Sequence, residues 1–559
     1  MKKDLLALVL LILSNLGLLG QTWTGNIDSS WDKAGNWSTN SVPGPASSVT
    51  IPGGLVNHPV LTAATTLNSL SFSPGSQLDF NGHSLTLNNL INLQGGTLTN
   101  SGNGPINIVV NGGTSTLRES EIQGDLVIQI NGNAAFQEAN TGGPNVFNGN
   151  VTYKMASTGT FTISNNFRSL YKGSLIVERT VAGATNIFTA GTTPSIIVEG
   201  DFSYINPVGG ATTIGHTSEK SIILGNVNID YNSAENYPTF ILRCIDNFQG
   251  ESEGVISIEN PGSLQILRDT LKLKEFRVVG KRGASTADFD YNDFAVTDGF
   301  WYEDAPPVGD MAGNNQPLYF SRTRLVGPSH FISRGSANFH ETVSGRGPNH
   351  FIGDVSFTAD STGAMYISQN FGSIFDGNLT VTRHRAGITS FFKAGENQVI
   401  TGDLKFVNKY GGTTDFGGND GLVQIGGKVD IDYESLNGNP GFNLNRLKNL
   451  TGGGVISILN PGGIIVRYDT LIVQQFSIKG KKDGGIADFD LNDFTVTEGF
   501  WYEDAPPVDD EDGNSVTLIF SRTRVVGPSY FTSRGSASFN ENYSGRGPNH
   551  FIGGCLIYG

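Results

Sequence analysis

Two motifs hold most of the chemistry that this sequence could perform. The first reads Asp288-Phe-Asp290-Tyr-Asn292-Asp293 and returns 200 residues later as Asp488-Phe-Asp490-Leu-Asn492-Asp493. Oxygen donors at alternate positions suit a hard cation such as Ca²⁺. Asp288, Asp290, Asn292, Asp293, Asp488, Asp490, Asn492 and Asp493 are therefore the expected metal ligands, and structural calcium ordering a loop is the only cofactor expected. The motif lacks the glycine and distal glutamate of an EF-hand loop. Its competing role is a solvated strand anchored by Phe289 and Phe294. The second motif, Trp301-Tyr302-Glu303-Asp304, follows Phe300 and repeats as Trp501-Tyr502-Glu503-Asp504. Rings can pack on sugar C–H faces while carboxylates accept hydroxyls, which implies an extracellular polysaccharide or cell-surface glycan as partner. The competing role for these eight residues is a plug that packs a loop onto its scaffold.

Enzyme signatures are weak. Gly250-Glu-Ser252-Glu-Gly254 has the spacing of a nucleophile elbow, but no strand-to-helix pattern surrounds it. The corresponding stretch, Leu450 to Gly454, has no serine. His330, His340 and His350 are evenly spaced, yet their counterparts are Tyr530, Asn540 and His550, which excludes a repeated metal site. Arginines recur at Arg322, Arg324, Arg334 and Arg346 and at Arg522, Arg524, Arg534 and Arg546. They suit cross-coil ion pairs or a mixed soluble surface. Carboxylates duplicated at this distance fit multivalent binding better than one catalytic centre.

The elements that position these residues are themselves repeated. Ser321 to Gly353 matches Ser521 to Gly553 at 26 of 33 positions, and Gly-Pro-Asn recurs at Gly143, Gly347 and Gly547. A weaker motif, Gly132-x-Ala134-x-Phe136-x-Glu138, returns at Gly335 to Glu341 and at Gly535 to Glu541. Within each unit a glycine followed by a small or polar residue opens an alternating strand. This happens at Gly124, Gly149, Gly173, Gly200 and Gly225, then at Gly353, Gly377, Gly402 and Gly427, in steps of 24 to 27 residues. Short strands with one corner glycine per period predict an all-β fold, a right-handed parallel β-helix or solenoid with about 25 residues per coil. The corner glycines are expected to supply positive φ. A string of immunoglobulin-like sandwiches would show strands 8–12 residues apart and no fixed corner.

The chain has 559 residues, 74 of them glycine, with 16% charged residues, two cysteines and a net charge of −15. Two cysteines exclude a disulfide scaffold, and the acidic balance argues against nucleic acid as a partner. Met1-Lys2-Lys3 and the apolar run Leu5 to Leu19 read as a signal peptide ending near Gly20. Its removal would leave no membrane span, so the expected location is secreted or at the cell surface. Trp23, Trp31 and Trp37, followed by Val42-Pro43-Gly44-Pro45, form a tryptophan-rich start suited to capping the first coil. This arrangement resembles the start of large secreted, repeat-containing surface adhesins of Gram-negative bacteria with a parallel β-helix, pectin-lyase-like architecture.

The expected organisation is a signal peptide at 1–20, a cap at 21–66, first coils at 67–142, repeat units at 143–346 and 347–546, and the start of a third unit at 547–559. That last boundary predicts a fragment of a longer protein. The expected function is an exported structural or adhesive repeat protein that binds carbohydrate. Parallel β-helices also include polysaccharide lyases and hydrolases, which makes a polysaccharide-degrading enzyme the alternative.

Overall fold

The structure is a computed structural model that describes residues 20–189, 197–233, 237–283, 285–306, 313–418, 421–436, 438–449, 451–506, 514–541 and 545–559. The expected signal peptide, apart from Gly20, lies outside the described residues. The chain divides into two compact units, Met1–Leu273 and Lys274–Gly559, and each is a parallel β-solenoid. Three short strands make one turn, and each pairs in parallel with its equivalent in the next turn. In the first unit the register runs Leu126, Val151, Leu175, Phe202, Val227. In the second it runs Ser329, Val355, Leu379, Leu404, Val429. One turn thus takes 24 to 27 residues, the spacing of the glycine motif.

Alternation along each strand builds the core. In Leu175–Arg179 the first, third and fifth side chains are buried, because successive residues point to opposite faces. Stacking of coils then lays like on like. Phe147 lies 4.8 Å from Tyr171 at an interplanar angle of 5°, and Phe391 lies 4.5 Å from Phe416 at 13°. Each such pair adds about 0.5–1.5 kcal/mol beyond the area it buries. These columns account for much of the chain's phenylalanine.

The corner glycines work differently from the expectation. Of the nine, only Gly124, Gly353 and Gly377 have clearly positive φ. The rest are needed for close approach between coils. A Cβ on Gly173 would sit 2.7 Å from the carbonyl carbon of Gly149, and one on Gly402 would sit 2.7 Å from that of Gly377. The small polar residue after each glycine has its own task. The amide of Asn150 donates to Asp125 Oδ1 at 2.8 Å, that of Ser174 to Asn150 Oδ1 at 2.9 Å, and that of Asn226 to Asp201 Oδ1 at 2.7 Å. The second unit repeats this ladder through Asp354, Asn378 and Asp403.

Left-handed backbone falls instead on large residues at another corner, including Tyr291, Arg322, Arg446, Tyr468, Leu491 and Arg522, with φ between 47° and 62°. The residue after each turns inward. There, Asp469 Oδ1 accepts the Leu447 amide at 2.7 Å and Asn492 Oδ1 accepts the Asp469 amide at 3.1 Å. These bonds satisfy backbone groups that leave the sheet at the bend.

Trp23, Trp31 and Trp37 are buried. Trp37 meets Trp23 edge-on at 4.9 Å and Trp31 at 4.7 Å, so their faces pack on one another rather than toward a ligand. One three-residue 3₁₀ turn, Ala34–Asn36, is the only helical element among the described residues. None of their helices is long and apolar enough to cross a membrane.

Candidate functional site

Both motifs meet in the second unit around one long strand, Asp293–Asp304, and its copy Asp493–Asp504. Alternation splits the aromatic motif between two faces. Tyr302 and Asp304 turn into the core, while Trp301 and Glu303 face outward. The Tyr302 hydroxyl is buried, and desolvation pushes its pKa well above the usual phenol range. Asp304 accepts the Gly335 amide at 3.1 Å, the Arg334 amide and Asn314 Nδ2 at 3.3 Å; burial lifts its pKa to about 6. In the copy, Asp504 accepts from Asn514 Nδ2 at 2.8 Å and from the Tyr502 hydroxyl at 2.9 Å.

The outward half is a surface patch. Trp301, 37% exposed, stacks on His330 of the next turn with centroids 3.9 Å apart and planes at 22°. Trp501 stacks on Tyr530 at 5.5 Å and 9°. Glu303 pairs with Arg334 at 3.2 Å and Glu503 with Arg534 at 3.0 Å. From Trp301 the outward column continues through His330, Ser356, Thr380, Lys405 and Asp430. His330 Nδ1 and Ser356 Oγ are 2.8 Å apart, and burial pushes the His330 pKa down. A groove of about 410 Å³ starts at His330 and runs over Ser356, Thr380, Lys405 and Asp430 and the ladder residues Asp354, Asn378 and Asp403. A second groove of about 510 Å³ shares Lys405 and Asp430 with it and reaches Lys409, Asp432 and Ser457. Hydroxyl, carboxylate and ammonium groups beside an exposed indole complement the alternating hydroxyl and C–H surfaces of a sugar chain.

The aspartate motif makes ion pairs. Arg322 Nε donates to Asp290 Oδ1 at 2.8 Å, and its second nitrogen reaches Oδ2. Arg346 holds both oxygens of Asp288 at 2.5 and 3.0 Å. Arg324 meets Asp293 at 2.9 Å. The copy repeats each pair through Arg522, Arg546 and Arg524, and Arg467 adds a second guanidinium to Asp488. These charge-assisted bonds raise the pKa of Arg322 and Arg346. Asn292 and Asn492 are buried, and Asn492 Nδ2 donates to the Val466 carbonyl at 2.9 Å. The donor set does not fit Ca²⁺, which would have to displace an arginine at each carboxylate. The geometry is that of a clamp across successive turns.

The spacing of Gly132 to Glu138 and its copies gives no role for the glutamate at its end. The glutamate is a buried hub in the first two occurrences, Glu138 and Glu341, whereas Glu541 in the third is exposed. Glu341 accepts from Asn349 Nδ2 and Ser373 Oγ, each at 2.6 Å, and from the Ser368 amide at 2.6 Å. Burial pushes its pKa up to about 7. Glu138 makes the equivalent bonds to Asn145, Ser164 and Ser169 in the first unit, and burial raises its pKa as well.

No family model, no curated protein and no solved structure matches the chain.

Proposed function

We propose that the chain is an exported surface protein that binds carbohydrate along the outer face of its solenoid, in the manner of a repeat-containing adhesin. The reading is supported above all by one duplicated observation. Trp301 on His330 and Trp501 on Tyr530 place an aromatic pair beside an outward glutamate–arginine pair in each copy. Two equivalent patches on one scaffold favour multivalent capture of a long polymer, in which the second contact benefits from the high effective concentration set by the first. The polar grooves give such a polymer hydroxyl and carboxylate partners. Retention of the purified chain on a glycan array, with no reducing ends released from the bound polysaccharide, is the expected result. Absence of retention on every polysaccharide overturns the reading.

One observation favours the alternative, a polysaccharide-cleaving enzyme: Asp354, Asp403, Asp430 and Lys405 come from successive turns into one groove. Reducing ends that appear with time, and vanish in Asp403→Asn or Asp430→Asn, would establish it in place of simple binding.

A further inference from the structure

Lysine is almost never fully buried without compensation, yet Lys281 and Lys481 are both fully buried. Each sits in the same small group. Lys281 Nζ donates to Asn314 Oδ1 at 3.4 Å and to the Ser285 carbonyl at 2.8 Å, while Asn314 Nδ2 donates to Asp304 Oδ2 at 3.3 Å. Lys481 Nζ donates to Asn514 Oδ1 at 3.3 Å, and Asn514 Nδ2 donates to Asp504 Oδ1 at 2.8 Å. Asn314, Asn514, Asp304 and Asp504 are all at most 3% exposed. The flanking sequences differ, Gly-Asn-Asn-Gln-Pro against Gly-Asn-Ser-Val-Thr, but the asparagine is common to both. An amine, a carboxamide and a carboxyl group thus meet twice in an enclosed space.

We infer that each group is the site of an intramolecular amide cross-link, joining Lys281 to Asn314 and Lys481 to Asn514, with Asp304 and Asp504 as the proton-transferring carboxyls. Nζ, as the neutral amine, gives its electron pair to the side-chain carbon Cγ of the asparagine. The protonated aspartate donates its proton to Nδ2 and takes one from Nζ. The Cγ–Nδ2 bond breaks with its pair on nitrogen, which leaves as ammonia. Nζ keeps one hydrogen in the new amide, nothing is oxidised or reduced, and no co-reactant is consumed.

Burial brings the pKa values of the amine and the carboxyl group of the first site toward each other, so that the neutral form of each is accessible near neutral pH. Desolvation pulls the pKa of Lys281 and Lys481 down to about 8 and lifts that of Asp304 to about 6. A buried amine freed of its proton is an activated nucleophile. The oxygen of the carboxamide whose carbon is attacked already accepts from the amine, and the leaving nitrogen already faces the carboxyl group. The product would tie successive turns together at the edge of the candidate surface patch.

Mass spectrometry of the folded full chain tests this. The expected intact mass, once the N-terminus is assigned, is below the sequence mass by two molecules of ammonia. Proteolysis should yield linked peptides whose fragments place the bonds at Lys281–Asn314 and Lys481–Asn514. Lys281→Met should restore the mass of one ammonia, and Asp304→Asn, which retains both reacting groups, should reduce the yield of the first linked peptide at least tenfold. A folded wild-type chain at its full sequence mass, with linear peptides carrying unmodified Lys281 and Asn314, overturns the inference. Wild-type yield in Asp304→Asn overturns the role of the carboxyl group.

Discussion

Arg346 reaches back over successive turns to place its two terminal nitrogens on the carboxylate of Asp288, at 2.5 and 3.0 Å. Its copy, Arg546, does the same to Asp488, which is fully buried and also holds Arg467. Asp488→Ala leaves guanidinium groups without their counter-charge, so unfolding should become easier by about 3 kcal/mol. Asp288→Ala, at a more exposed pair, should cost about 1.5 kcal/mol. Denaturant titration measures both. Because arginines occupy these carboxylates, chelation with EDTA should leave the melting temperature unchanged.

Stability should fall as pH rises toward neutrality. Glu341 has an ordinary value of 4.5 and a folded value of about 7. The folded state therefore holds this proton more tightly than the unfolded state. Its contribution is fully present below about pH 4.5 and is lost as pH climbs to about 7. Asp304 acts in the same direction over a lower window, from 3.8 to about 6. Glu341→Gln should flatten the decline in melting temperature across that range. An unchanged slope would show that the buried hub does not titrate as described.

Leu491 adopts φ 59° with its side chain 36% exposed. Left-handed backbone costs a leucine roughly 1–2 kcal/mol, and the strain relieved by Leu491→Gly offsets the lost burial and the added freedom of the unfolded chain, so stability should fall by no more than about 1 kcal/mol.

Gly402 presents the opposite case. Its φ is not in the left-handed region, but an added Cβ would lie 2.5 Å from Asn378 Oδ1 and 2.7 Å from the Gly377 carbonyl carbon. Gly402→Ala should destabilise by about 2 kcal/mol. Thermal unfolding should show a clearly larger fall for Gly402→Ala than for Leu491→Gly.

The solenoid was legible in the sequence because period-two alternation and a glycine every 24 to 27 residues are both local signals. Alternation also held an unused clue about the site. In Trp301-Tyr302-Glu303-Asp304 adjacent residues must face opposite ways, so Trp301 and Glu303 share one face, Tyr302 and Asp304 the other, and all four could not meet one ligand. The role of the corner glycines was not legible, because contact between coils depends on what lies above and below. The arginine clamps were hidden for the same reason: Arg346 and Asp288 are 58 residues apart and meet only through the register of successive turns. Lys281 and Asn314 lie 33 residues apart on either side of a long strand, and no motif of known spacing joins them.

The most direct test of the carbohydrate reading compares wild type with Trp301→Ala, Trp501→Ala and the double variant on the polysaccharide that the wild type retains. Both single variants should keep measurable affinity, weakened about tenfold or more by loss of one of two linked contacts, and the double variant should lose retention while its melting curve stays close to wild type. Undiminished binding by the folded double variant would contradict the account.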